Sequence, residues 1–138
     1  MPLRLFTLSD ANDLIPTLEP LMCQLMAKRR ELRKYERAVE AFRAKASRDG
    51  GILPGPDYAH IREESIRILT EIREGVQEIE AFGCLVKDLD LGVVNFLARR
   101  GREQVFLCWR LGEPEIRFWH DLREGFASRK PVGEDLTG

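Results

Sequence analysis

The chain has 138 residues, 22 of them basic and 23 acidic, for a formal net charge of -1, a balance unlike that of generic polyanion binders. Its length fits one domain, and no stretch approaches the roughly 20 apolar residues of a membrane-spanning helix. Three cysteines, Cys23, Cys84 and Cys108, form no paired spacing; that argues against a secreted disulfide framework and for reduced thiols in a cytoplasmic protein. The start, Met1-Pro2-Leu3-Arg4-Leu5-Phe6, lacks an apolar signal core with a small-residue cleavage site.

Phe6-Thr7-Leu8-Ser9-Asp10 predicts a helix entrance. Thr7 can cap the helix and Asp10, three residues on, can close a capping box. Pro16 lacks the N–H that the preceding turn requires, so the expected course is a short helix, a bend, and a long helix from about Pro16 to Ser47. In that long helix Leu18, Leu21, Leu25, Lys28, Leu32, Tyr35, Val39, Phe42 and Ala46 recur at alternating spacings of three and four. This is a heptad seam carrying one lysine. At 1.5 Å per residue such a rod is about 48 Å long, and no small core covers it from one side, so it needs a partner helix.

Ser47-Arg48-Asp49-Gly50-Gly51-Ile52-Leu53-Pro54-Gly55-Pro56 is dense in glycine and proline and reads as a loop. A second helix is predicted from about Asp57 to Ala81, with Ile61, Ser65, Ile68, Ile72, Val76, Ile79 and Phe82 on its seam. Gly75 inside it costs about 1 kcal/mol against alanine and so points to a close contact. Gly83 suits a helix C-cap. The first helix is basic from Lys28 to Arg48 and the second is acidic. Opposite flanking charges help set register and orientation in an antiparallel, coiled-coil-like hairpin, although each exposed pair contributes only about 0–1 kcal/mol.

After Gly83 the period changes. Cys84–Asp88 and Leu91–Ala98 read as strands, Arg99–Arg102 as a turn, and Glu103–Arg110 as the strongest strand in the chain. Leu111–Pro114 is a turn, and Glu115–His120 is a fourth strand or the opening of a short helix. Irregular structure is expected from Glu124, with a frayed tail after Pro131. The whole reads as an α+β fold in one domain, 1–138. A proline-bent helix and hairpin span 7–82, a small antiparallel β unit of three to four strands spans 83–130, and a flexible tail spans 131–138.

Certain residues stand out in order: Phe6-Thr7, Ala11-Asn12, Pro16, Gly83, Lys87-Asp88, Gly92 and Phe96. They continue with Cys108-Trp109-Arg110-Leu111-Gly112-Glu113-Pro114-Glu115-Ile116, Trp119-His120, Gly125-Phe126 and Arg129. Over nearly its whole length the chain resembles a family of small, mostly bacterial proteins known as domain of unknown function 2203, and Cys108 to Phe126 carries the most specific part. The resemblance implies these boundaries and no established activity. It also implies an acidic residue at position 95 and a proline at 97, where this chain has Asn95 and Leu97; any ligand or base role of that acid would be lost here.

Four kinds of chemistry can be set against the bland reading of the same residues. Cys108, Glu113 and His120 could hold a divalent metal. The paired C-x-x-C and H-x-x-x-H spacings of structural zinc sites are absent, and a hydrogen-bonded core histidine is the simpler reading, so no cofactor is expected. Asp88, Asp90, Glu113, Glu115 and Asp121 could divide acid and base roles, but nothing in their spacing brings them together and no motif meets the requirements of an active site. Cys23 and Cys108 read as packing residues. Arg99, Arg100 and Arg102, near Phe96, Phe106 and Trp109, have the charge for nucleic acid, yet a solvated turn is the default and nucleic acid is not the expected partner. The preferred expectation is a non-enzymatic homodimer acting in protein–protein interaction or scaffolding. Leu14, Ile15, Met22, Met26 and Leu69 lie off the seam, where a four-helix dimer would cover them. A recognition cluster is expected at Asp88, Trp109, Arg110, Glu113, Trp119, His120 and Arg129.

Overall fold

A computed structural model describes residues 3–48, 50 and 55–136. The loop positions 49 and 51–54 lie outside them. Two helices lead: α1, Leu8–Arg48, and α2, Gly55–Glu80. Five strands follow: β1 Leu85–Asp88, β2 Val93–Arg100, β3 Glu103–Arg110, β4 Phe118–Asp121 and β5 Lys130–Pro131. They form one antiparallel sheet in the order β1-β2-β3-β4-β5. The fold is thus α+β with a helical hairpin and one more strand than the expected three to four. The chain divides into two compact units, Ala27–Glu74 and Met1–Met26 with Gly75–Gly138, where the sequence suggests a single domain.

The entrance to α1 is the expected capping box. Asp10 N–H donates to Thr7 Oγ1 at 3.0 Å, and Thr7 N–H reaches back to Asp10 Oδ2 at 3.5 Å. The break expected at Pro16 does not occur: Pro16 and Pro20 both lie inside one helix of 41 residues. Both prolines are exposed, so water can satisfy the carbonyls that lose their helical donor.

In the Ala27–Glu74 unit the heptad seam is legible in burial. Leu32, Val39 and Ala46 are buried, as are Ile68 and Ile72 on α2. The seam lysine, Lys28, reaches Glu71 at 3.8 Å, and Phe42 meets Tyr58 edge to face with centroids 5.9 Å apart. Ser65 fills its seam position by donating to the Ile61 carbonyl at 2.9 Å, which satisfies a hydroxyl that would otherwise be stranded beside apolar neighbours.

The second unit is built by the sheet folding onto the first turns of α1. Directly opposed residues of antiparallel strands share a face. Val94, Trp109, Phe96, Leu107, Ala98, Val105 and Trp119 therefore lie together on the inner face. They bury against Phe6, Ala11, Ile15, Leu18, Met22, Leu25 and Ile79. Each large side chain so covered contributes about 1.5–3 kcal/mol. Ile15 and Met22, expected at a dimer surface, are 5% and 0% exposed within this core, and Leu14 packs against it. The sheet covers them, so they cannot serve as an interface. A long-range hydrogen bond from Ile116 N–H to Asn12 Oδ1, at 2.7 Å, ties the β3–β4 connection to α1. Gly83 follows α2 with φ of +100°, and a Cβ there would lie 2.4 Å from Arg4 Cβ, so glycine is required by both conformation and space. The segment after Pro131, expected to fray, makes a 3-10 turn at Glu134–Leu136 that buries Leu136 in the same core.

Candidate functional site

The outer face of the sheet carries the unusual chemistry. Alternation along β2, β3 and β4 places Asn95, Cys108 and Phe118 in one row across it and Leu97, Phe106 and His120 in the next. Asn95, Cys108 and His120 are 1%, 0% and 1% exposed. His120 Nδ1 lies 2.8 Å from the Asp121 carbonyl. A carbonyl only accepts, so Nδ1 carries a proton and donates it. Among the described residues Nε2 has no hydrogen-bond partner, nor has Asn95 Oδ1. The Phe106 ring stands 5.9 Å from the imidazole.

Arg129 closes one end of this face. Its guanidinium lies 4.2 Å from the Phe118 ring centre and 4.0 Å from that of Phe126. Nη1 donates to both Glu113 carboxylate oxygens at 3.0 Å. Glu113 also accepts the Arg110 N–H at 2.7 Å, and its carbonyl accepts Trp109 Nε1–H at 2.9 Å. Burial pushes the Cys108 thiol up to about 11, with Arg129 pulling it partly back. Burial likewise pushes Cys84 up to about 11. Both thiols are held neutral and inert.

The structure divides the residues singled out by sequence. Arg110, Glu113 and Arg129 come together, and Trp109 joins them through the Glu113 carbonyl. Trp119, though next to His120 in the chain, faces the opposite side of the sheet because strand side chains alternate. It lies 7% exposed in the core, with Arg100 and Lys130 over its ring at 4.6 and 4.7 Å. Asp88 ends β1 and caps the turn that follows: its Oδ1 accepts the N–H groups of Asp90 and Leu91. Cys108 and His120 share a face, but Glu113 is committed to Arg129. Among the described residues no group of three or more His, Cys, Asp or Glu is placed to hold a metal. A guanidinium beside Cys108 also disfavours a cation there. The remaining carboxylates considered for acid–base work are dispersed, Glu115 on Arg117 and Asp121 near Lys130.

The turn arginines separate as well. Arg100 Nε lies 2.7 Å from Asp135 Oδ2 on the inner side. Arg99 and Arg102 are exposed. Sequence reasoning passed over Arg123, which the β4–β5 turn brings to the same end of the sheet, because β3–β4 pairing ends at Val105 opposite Asp121.

The Ala27–Glu74 unit offers a second candidate, a groove of about 870 Å³ along one side of the hairpin. Leu32, Val39, Ile66 and Leu69 line it, with Arg29, Glu36, Glu40, Arg43 and Arg62 around them. Ile66 and Leu69 are 57% and 37% exposed. No helix among the described residues is long and apolar enough to cross a membrane.

No curated protein and no solved structure matches this chain. Its helical hairpin and following sheet, with the Cys108–Arg129 stretch that builds the outer face, fall within a match over residues 4–132 to a family described as uncharacterized conserved protein, and the chain belongs to that family, DUF2203.

Proposed function

We propose that the protein is a non-enzymatic homodimer acting in protein–protein interaction, and that two copies join through the hairpin groove between α1 and α2. The observation that carries this is the pair Ile66 and Leu69, which stay exposed beside the apolar floor of Leu32 and Val39. Isolated exposed apolar residues need no explanation, but an apolar groove rimmed by charge does. A second copy is the occupant the charges favour. Arg29, Glu36, Glu40 and Arg43 border it from α1 and Arg62 from α2, so the groove carries both signs of charge. Under a two-fold axis a border of mixed charge can meet opposite charges on its copy, and the result is a four-helix arrangement. Surface of about 800 Å² per copy, the size of an ordinary stable interface, is within reach of two helices over residues 27–48 and 55–74.

Sedimentation velocity on the full chain across low to high micromolar concentration tests this. A dimer is expected for the native chain and a monomer of unchanged thermal stability for Ile66→Glu with Leu69→Glu. A native chain that stays monomeric throughout, or a double variant that still dimerises, would overturn the reading.

A further inference from the structure

We propose that the outer face of the sheet binds single-stranded nucleic acid, with Arg99, Arg102 and Arg123 holding phosphates and Phe106 offering its ring to a base. Arg99 follows Asn95 and Leu97 on the outer face of β2. Arg102 lies in the β2–β3 turn and Arg123 in the β4–β5 turn, both at the end of the sheet where Val105 opposes Asp121. All three are exposed. Among the described residues none of the three makes an ion pair.

The acids of this end are otherwise engaged. Asp121 and Glu124 lie at 3.7 and 3.0 Å from Lys130, and Asp135 is on Arg100. Glu103 is the unengaged carboxylate here, and its strand position opposite Arg100 puts it on the inner face. The outer face at this end is therefore positive, although the chain as a whole is near neutral.

One feature, the Phe106 ring, favours a single strand over a duplex. Phe106 is half-buried in the row with Leu97 and His120, its ring 5.9 Å from the imidazole. Bases of a single strand stack on such a ring whatever their sequence, while basic side chains track the backbone. A duplex hides the base faces that Phe106 would meet. The Ala27–Glu74 groove plays no part, so this inference stands or falls apart from dimerisation.

Fluorescence anisotropy with the full chain and a labelled mixed-sequence RNA of roughly 12 nucleotides tests it. Binding is expected at low salt, with log K falling against log salt at a slope near about -2 for three phosphate contacts on a single strand. Arg99→Gln, Arg102→Gln and Arg123→Gln together should weaken binding at least tenfold and flatten that slope. Phe106→Leu keeps apolar packing but removes the ring; it should weaken binding by about five- to a hundredfold with the slope unchanged. Competitor duplex should displace the strand poorly. Absence of binding at low salt, an unaltered triple variant, tighter binding to duplex, or capture by anionic vesicles in place of RNA would each overturn the proposal.

Discussion

Replacing Gly75 with alanine sets two opposing effects against each other. In an exposed helix interior the change stabilises by about 1 kcal/mol through backbone entropy. At position 75, however, a Cβ would fall 2.4 Å from Leu25 Cδ2 and 3.2 Å from its Cγ. Leu25 is 3% exposed in the core, so its isobutyl group has little room to turn away. Overpacking of this kind costs about 1–3 kcal/mol, and Gly75→Ala alone should come out between neutral and about 2 kcal/mol destabilising. Leu25→Ala alone should cost about 2–5 kcal/mol, the range for deleting a buried leucine. In the Leu25→Ala background the obstruction is gone and the new methyl enters the cavity, so Gly75→Ala should then stabilise by about 1 kcal/mol or more. Urea unfolding of the four proteins, read as midpoints at constant slope, gives the coupling directly. If Gly75→Ala stabilises the native chain and the Leu25→Ala variant equally, the close approach at this point of the hairpin is wrong.

Three further outcomes follow from the structure. Asn12→Ala strands the Ile116 N–H, whose partner is Asn12 Oδ1 at 2.7 Å; the loss should be about 1–3 kcal/mol. Asn12→Asp, which keeps an acceptor, should cost less by the same denaturation measurement, and equal losses would refute the role of this bond. Thiol labelling at mildly alkaline pH should modify exposed Cys23 and spare Cys84 and Cys108 until the chain unfolds. Both buried thiols rise from 9.0 to about 11. Unfolded chains therefore lose these protons first, so stability is full below pH 9 and declines as pH climbs toward 11. The decline should reach roughly 2–3 kcal/mol per thiol, and replacing both with serine or alanine should remove that part of the pH dependence.

Local pattern determined the elements. The Thr7–Asp10 cap, the three-four seam from Leu18 to Ala46, and the strand Glu103–Arg110 were all legible, because each depends on spacing within a few residues. The family resemblance was legible for the same reason, its most specific part being Cys108 to Phe126. Where sequence reasoning stopped at Pro16, it lacked one fact: the proline faces solvent, which is a property of how α1 sits on its own core.

What only tertiary structure decided is which side of each element is covered. Of the residues expected off the seam, Ile15 and Met22 lie under the sheet, whereas Leu69 stays exposed beside Ile66. Trp119 and His120 are adjacent in the chain yet serve opposite faces. Arg100 left the basic turn for Asp135, and Arg123 entered it from a different turn. Helical and strand periodicity is written into neighbouring residues. Strand order and facing depend on pairings between residues far apart in the chain, which no local spacing encodes.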